Sequence, residues 1–191
     1  MNQAFILGNG QSRRNLDLNK MLRQGPIYGC NALYRDFTPT VLVATDRPIS
    51  TEIQNSGYAR KHRFYTRKPL ADSGALTVPK PYYGFSSGPI AVALAAHDGY
   101  GTIYLVGFDM GPSSTGRFNN VYADTEYYKR SMDNPTFTGN WIKQLQQIAR
   151  EFPKTNFVRV MGDTTTHISE LVSDNLSNLP MSAFIDVINK A

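Results

Sequence analysis

The chain has a single cysteine, Cys30. That excludes an intramolecular disulfide and any cysteine-rich metal site, and a cytoplasmic location is the default expectation. Long apolar runs are missing too: none approaches the roughly 20 residues that a membrane span requires. The start enters a strand almost at once, with no basic region followed by a long apolar stretch, so no signal peptide is expected. There is no internal repeat, no low-complexity segment and no linker that would divide domains. The 191 residues are therefore expected to form one domain, 1–191. Strong charge of one sign is also absent. The net charge of +5 suits a protein that handles phosphates. Nucleic acid is not an expected partner, because the basic residues scatter instead of crowding on one face. The small clusters are Arg13-Arg14, Arg60-Lys61-His62-Arg63 and Arg67-Lys68.

What is present begins with Ala4-Phe5-Ile6-Leu7-Gly8-Asn9-Gly10-Gln11-Ser12. A short apolar run stops at Gly-Asn-Gly-x-Ser, and a helical pattern follows around Leu16 to Leu22. Strand, tight glycine turn and helix make the first unit of an α/β sheet. Gly8 and Gly10 permit close approach of backbone N–H groups to an anion, and Asn9 and Ser12 add polar groups at the mouth of the turn. The turn is not G-x-G-x-x-G, because Arg13 stands where the third glycine would fall, and it is not a P-loop. An ordinary βα turn is the alternative reading.

Ile27-Tyr28-Gly29-Cys30 reads as a second strand ending at Asn31, and Val41 to Ala44 as a third ending at Thr45-Asp46. Polar residues thus stand at three strand ends, where open α/β sheets bind ligands. A helix over Ile49 to Tyr58 and a short strand over His62 to Thr66 follow, then a long loop from Arg67 to Phe85. Ser86-Ser87-Gly88-Pro89 opens an alanine-rich helix whose N-terminus suits a carboxylate or phosphate. Thr102 to Val106 is a buried strand that ends at Gly107-Phe108-Asp109. Residues 112–139 form a polar, aromatic insertion, expected to be a lid or partner surface with one short helix. Asn140 is expected to cap an amphipathic helix, Asn156 to Val160 to be the last strand, and Pro180 to Lys190 a closing helix. The fold class is α/β, a three-layer sandwich with a mostly parallel sheet, Rossmann-like at its start.

Four segments resemble the bacterial CMP-sialic acid-dependent sialyltransferases of lipooligosaccharide synthesis. They are the loop Phe5 to Ser12, Cys30-Asn31-Ala32-Leu33-Tyr34, Phe85-Ser86-Ser87-Gly88, and the strand end Ile103 to Asp109. Wider relatives are the 6-hydroxymethylpterin diphosphokinase-like and motility-accessory proteins, and the chain also looks like short proteins of marine phages. The resemblance implies that Asn9 and Ser12 hold phosphate or ribose, and that Asn31 holds the nucleotide or donor sugar. Ser87 and Gly88 would lie near the donor carboxylate, and Asp109 at the crevice floor. It implies a CMP-type nucleotide or nucleotide sugar as ligand, no other cofactor, and metal-independent displacement. In the family a tyrosine follows the Gly-x-Asp; here Met110 stands there, and Tyr122 is the later tyrosine that could replace it. The family's His-Ser segment has no counterpart in the equivalent region.

Glycosyl transfer needs a base for the acceptor and stabilisation of the leaving phosphate. His167, Asp109, Asp46 and Asp124 are the candidate bases. His97 reads as a charge at a helix C-terminus. Asp46 and Asp109 could instead cap loops or share a metal, but no third ligand is evident. Arg13 and Arg14 could pair with phosphate or simply be solvated. The leading expectation is a nucleotide-sugar-binding glycosyltransferase of the sialyltransferase-like type. The alternatives are a diphosphokinase-like phosphoryl transferase and a non-catalytic nucleotide-binding protein. A homo-oligomer is left open.

Overall fold

The computed structural model describes residues 2–190. Eight strands form one sheet: β1 (Gln3–Leu7), β2 (Ile27–Cys30), β3 (Val41–Val43), β4 (Arg63–Thr66), β5 (Leu76–Thr77), β6 (Thr102–Val106), β7 (Asn156–Met161) and β8 (Leu176–Pro180). Their order is β5-β4-β3-β2-β1-β6-β7-β8, and every pair is parallel. The five helices are α1 (Leu18–Gln24), α2 (Arg47–Asn55), α3 (Ser87–His97), α4 (Gly139–Glu151) and α5 (Met181–Ile188).

Alternation along the central strands builds the three layers. In β1, Ala4 and Ile6 join the core under α3 and α4, while Phe5 and Leu7 join the core under α1, α2 and α5. In β6, Ile103 and Leu105 share the first core, and Val106 the second. A central strand needs both faces apolar, which is why these segments read as unbroken runs. Helix α3 is apolar on all sides, with every residue from Pro89 to Ala96 buried. Its alanines let it lie close against β1, β2 and β3 as it crosses from one half of the sheet to the other.

Four expectations are corrected. The last strand is β8, not β7; its polar sequence Leu176-Ser177-Asn178-Leu179-Pro180 suits a half-exposed edge and hides it from an apolar-run reading. The 67–85 loop contains β5, a two-residue edge strand with both residues exposed, and a 3-10 turn over Lys80–Tyr82. Helix α4 starts at Gly139, so Asn140 lies inside it and Thr138 occupies the capping position. The 112–138 stretch holds no regular helix. Asp124 and Tyr127 sit at φ of 68 and 70, incompatible with a right-handed helix, and side chains such as Asp124 and Asp133 cap its successive turns. No helix among the described residues is long and apolar enough to cross a membrane.

Burial raises the phenols of Tyr34, Tyr58 and Tyr122 from 10.0 to about 12, and those of Tyr28, Tyr82 and Tyr128 are raised as well. Groups neutral when folded but ionised when unfolded give stability that is intact below pH 10 and lost as the pH climbs from 10 towards 12. Arg159, lowered by burial to about 10, acts in the opposite sense over that range, one group against these six tyrosines, and the buried Cys30 thiol, raised from 9.0 to about 12, acts with the tyrosines from about pH 9. The melting temperature is therefore expected to hold to about pH 9 and then fall, most steeply above pH 10. Exposed tyrosines should titrate first, and the buried ones only together with unfolding. Smooth titration of all eleven tyrosines before unfolding would contradict this packing.

Candidate functional site

The chain leaves β1 for β2 on one side of the sheet, whereas β6 flanks β1 on the other. The carboxyl ends of β1 and β6 therefore frame the topological switch point. A cleft of about 340 Å³ opens there. Gly8, Asn9, Gly10, Asn31, Asp46, Ser86, Ser87, Gly88 and Asp109 all line it.

Its floor is made by two loops packed backbone to backbone. Gly8 N donates to Val106 O at 2.8 Å and Gly10 N to Gly107 O at 2.9 Å. A Cβ on Gly8 would lie 2.6 Å from Gly107 O, and one on Gly10 would lie 2.5 Å from the Asp109 carboxylate. The glycines are thus required by the approach of the β6 loop, not by a bound anion. Gln11 N donates to Asn119 Oδ1, and Ser12 N to Asp109 Oδ2. With the N–H groups of residues 8, 10, 11 and 12 engaged inside the protein, the turn is not a phosphate cradle.

Asp109 is 4% exposed and accepts five hydrogen bonds. Its Oδ1 takes Ser12 Oγ at 2.5 Å and Thr165 Oγ1 at 3.0 Å. Its Oδ2 takes Ser12 N and Asn119 Nδ2 at 3.1 Å and Thr164 Oγ1 at 2.6 Å. A carboxylate so fully engaged joins three loops, and its oxygens are not free to act as a base or to hold a metal. Behind it Arg159 of β7, 0% exposed, donates to Phe108 O, Asp109 O and Thr166 O. Burial lowers that guanidinium, and the nearby Asp109 charge opposes the shift.

Several expected site residues face elsewhere. Ser12 does not line the cleft; its hydroxyl is spent on Asp109, and its other side borders a separate surface hollow with Met181 and Ile185. His167 is exposed on the loop after β7 and is not among the cleft residues. Tyr122 is buried in the second core beside Arg13, with its phenol raised by burial, so it is not at the cleft either. Asp124 lies on the exposed insertion, its carboxyl held below its ordinary range by the Ser131 N–H. The Asn9 side chain lines the floor but is held at both ends: Nδ2 donates to Cys30 O, and Oδ1 accepts from Arg13. Cys30 is a buried thiol pushed up to about 12 by burial, inert as a nucleophile.

Other groups remain available. Asn31 has left-handed backbone, φ 55, and its buried Oδ1 finds no donor in the protein. Asp46 is exposed and occupies the capping position of α2 without a capping hydrogen bond, leaving its carboxylate at the cleft mouth. The first turn of α3 faces the cleft, with Ser87 Oγ accepting from Thr45 N at 3.1 Å.

Sequence reasoning missed the rest of the lining. Arg67 brings a cation, fixed by donation to Tyr83 O and Phe85 O. Phe118, Asn119, Asn120, Thr136 and Thr138 come from the insertion, and Trp141 from the first turn of α4. The near part of the insertion is fastened down: Val121 N donates to Asn9 O at 2.8 Å, and Tyr128 accepts from Ala32 N. An aromatic-rich insertion directly after a strand-end acid was the available signal.

Fold and cleft together define a doubly wound, Rossmann-like α/β protein with a cleft at its switch point, the place where such sheets bind ligands. No protein-family model, curated protein or solved structure matches the chain.

Asp109→Asn would set an amide N–H₂ against several of these five donors. A loss of about 3 kcal/mol or more in urea unfolding is expected. Asp46→Asn, at an exposed carboxylate, should change stability by less than about 0.5 kcal/mol. Equal effects of the two would contradict the structural role given to Asp109.

Proposed function

We propose that the cleft binds a nucleotide or nucleotide sugar of the CMP type, and that the protein is a glycosyltransferase-like enzyme of the sialyltransferase-like type. One observation carries the reading. Asn31 is strained and lacks a donor for its buried Oδ1, and it lines the cleft that the α3 N-terminus and Arg67 also line. Strain and an unsatisfied acceptor persist at sites that a ligand completes. A turn of the Asn31 amide toward the cleft would let a ligand hydroxyl or amino group donate to its Oδ1. Its phosphate or carboxylate would take the α3 N-terminus and Arg67. The resemblance of the four strand-end segments to CMP-sialic acid-dependent sialyltransferases supports the same assignment.

For glycosyl transfer the base is Asp46, the carboxylate of the cleft that no protein donor occupies. With His167 and Tyr122 outside the cleft, the Asn120 amide and the Arg67 guanidinium are the groups left to meet a departing phosphate. The cytoplasmic location and a closing role for the outer insertion, residues 129–138, belong to this proposal. The second reading, a nucleotide-binding protein without turnover, is favoured by that placement of His167 and Tyr122 outside the cleft.

Two outcomes are expected. CMP at a hundred times its dissociation constant should add about 2.7 kcal/mol of stability. It should also change the fluorescence of Trp141, the sole tryptophan, which lies in the cleft. Asn31→Gly should relieve strain and remove the orphaned acceptor, leaving stability equal or higher by up to ~1 kcal/mol while weakening CMP at least tenfold. Hydrolysis of CMP-sialic acid that is lost in Asp46→Asn supports transfer; binding without hydrolysis supports the second reading. A screen in which neither CMP nor CMP-sialic acid stabilises the protein would contradict both.

A further inference from the structure

Among the described residues only three charged side chains are buried: Arg13, Asp109 and Arg159. All three lie under the β1 and β6 loops that floor the cleft. Arg159 donates to backbone carbonyls next to Asp109, whose single negative charge lies nearby. Arg13, 8% exposed, points back under the turn it follows. Its Nε donates to Gly8 O at 3.0 Å and its Nη2 to Asn9 Oδ1 at 2.9 Å, and its guanidinium lies 5.8 Å from the Tyr122 ring centre. Among the described residues neither arginine is in an ion pair. On the Arg13 side Asp36 lies near the Tyr122 hydroxyl and is exposed.

Two buried cations against one buried anion leave one positive charge without a buried counter-charge. A buried charge is costly unless something opposes it. Neutral partners are all that Arg13 has, and both Gly8 and Asn9, which it touches, face the cleft. The charge therefore acts upward, through one layer of backbone in a low-dielectric setting, on whatever occupies the cleft.

We infer that Arg13 is a positioning and specificity residue: its buried charge makes the cleft select an anionic, phosphate-bearing ligand over the neutral nucleoside, while its fork holds Gly8 and Asn9 in place. The inference rests on the nucleotide reading for the ligand's identity but not for its charge. The surface arginine next to it, Arg14, is 44% exposed at its side chain and paired with Asp163, so it plays no such part.

The test measures CMP, cytidine and inorganic pyrophosphate by Trp141 fluorescence in the wild type, Arg13→Gln and Arg13→Lys. The wild type should bind CMP at least tenfold more tightly than cytidine. Arg13→Gln should shrink that ratio about tenfold, with cytidine affinity little changed, and should weaken pyrophosphate in parallel. Arg13→Lys, which keeps the charge and loses the fork, should hold the ratio, and it carries the test alone if Arg13→Gln does not fold. Equal weakening of CMP and cytidine in Arg13→Gln would reduce the residue to a structural one and overturn the inference. So would a folded Arg13→Lys that loses the ratio, or a wild type indifferent to the phosphate. Pyrophosphate binding that depends on Arg13, with no binding of CMP, would uphold the charge selection and defeat the nucleotide reading.

Discussion

The Asp109 carboxylate is the joint on which the upper face of this protein depends. It gathers the β1 turn through Ser12, the insertion through Asn119, and the loop after β7 through Thr164 and Thr165. Without that acceptor, five donors would lose their partner and the buried Arg159 guanidinium its nearby negative charge. The glycines at positions 8, 10 and 107 follow from the same constraint, since any larger residue at 8 or 10 would push the β6 loop and its carboxylate away. Rigidity at this joint is what gives the cleft above it a fixed floor.

That floor separates structural work from ligand work. The turn that looks most like an anion cradle spends its N–H groups on the protein itself. The capacity to hold an anion lies across the cleft, at the first turn of α3 and at Arg67, with the buried Arg13 charge beneath. Asn31 and Asp46, at the ends of the second and third strands, keep polar atoms that no protein group satisfies. A site in which the scaffold is saturated and the rim is not is one arranged for an occupant.

The sheet and most of the cleft were legible because central parallel strands must be apolar on both faces and must stop at a polar turn. Asn9, Asn31, Asp46 and Asp109 could be placed by that rule alone, and the Ser86 to Pro89 start by helix-terminus chemistry. The direction of a side chain just past the turn could not. Ser12 and Arg13 differ by one position, yet one reaches Asp109 and the other folds under Gly8. An arginine beside a second arginine reads as solvated; only the packing against carbonyls shows that it is not. The edge strands β5 and β8 escaped because exposure relaxes the apolar pattern, and Tyr122 and His167 because nothing in their spacing fixes which face of a loop they take. Arg67 and Trp141 were invisible for a plainer reason: they reach the cleft from segments distant in sequence.

The central claim is that the space between the β1 and β6 loops is a ligand site and that its working edge is the Asn31 and α3 side. Amide and indole NMR signals followed during titration with CMP test it most directly. Shifts are expected to concentrate at Asn31, Ser87, Gly88 and the Trp141 indole, with residues around Met181 and Ile185 unmoved. Shifts centred on that separate hollow, or none at saturating nucleotide, would contradict it.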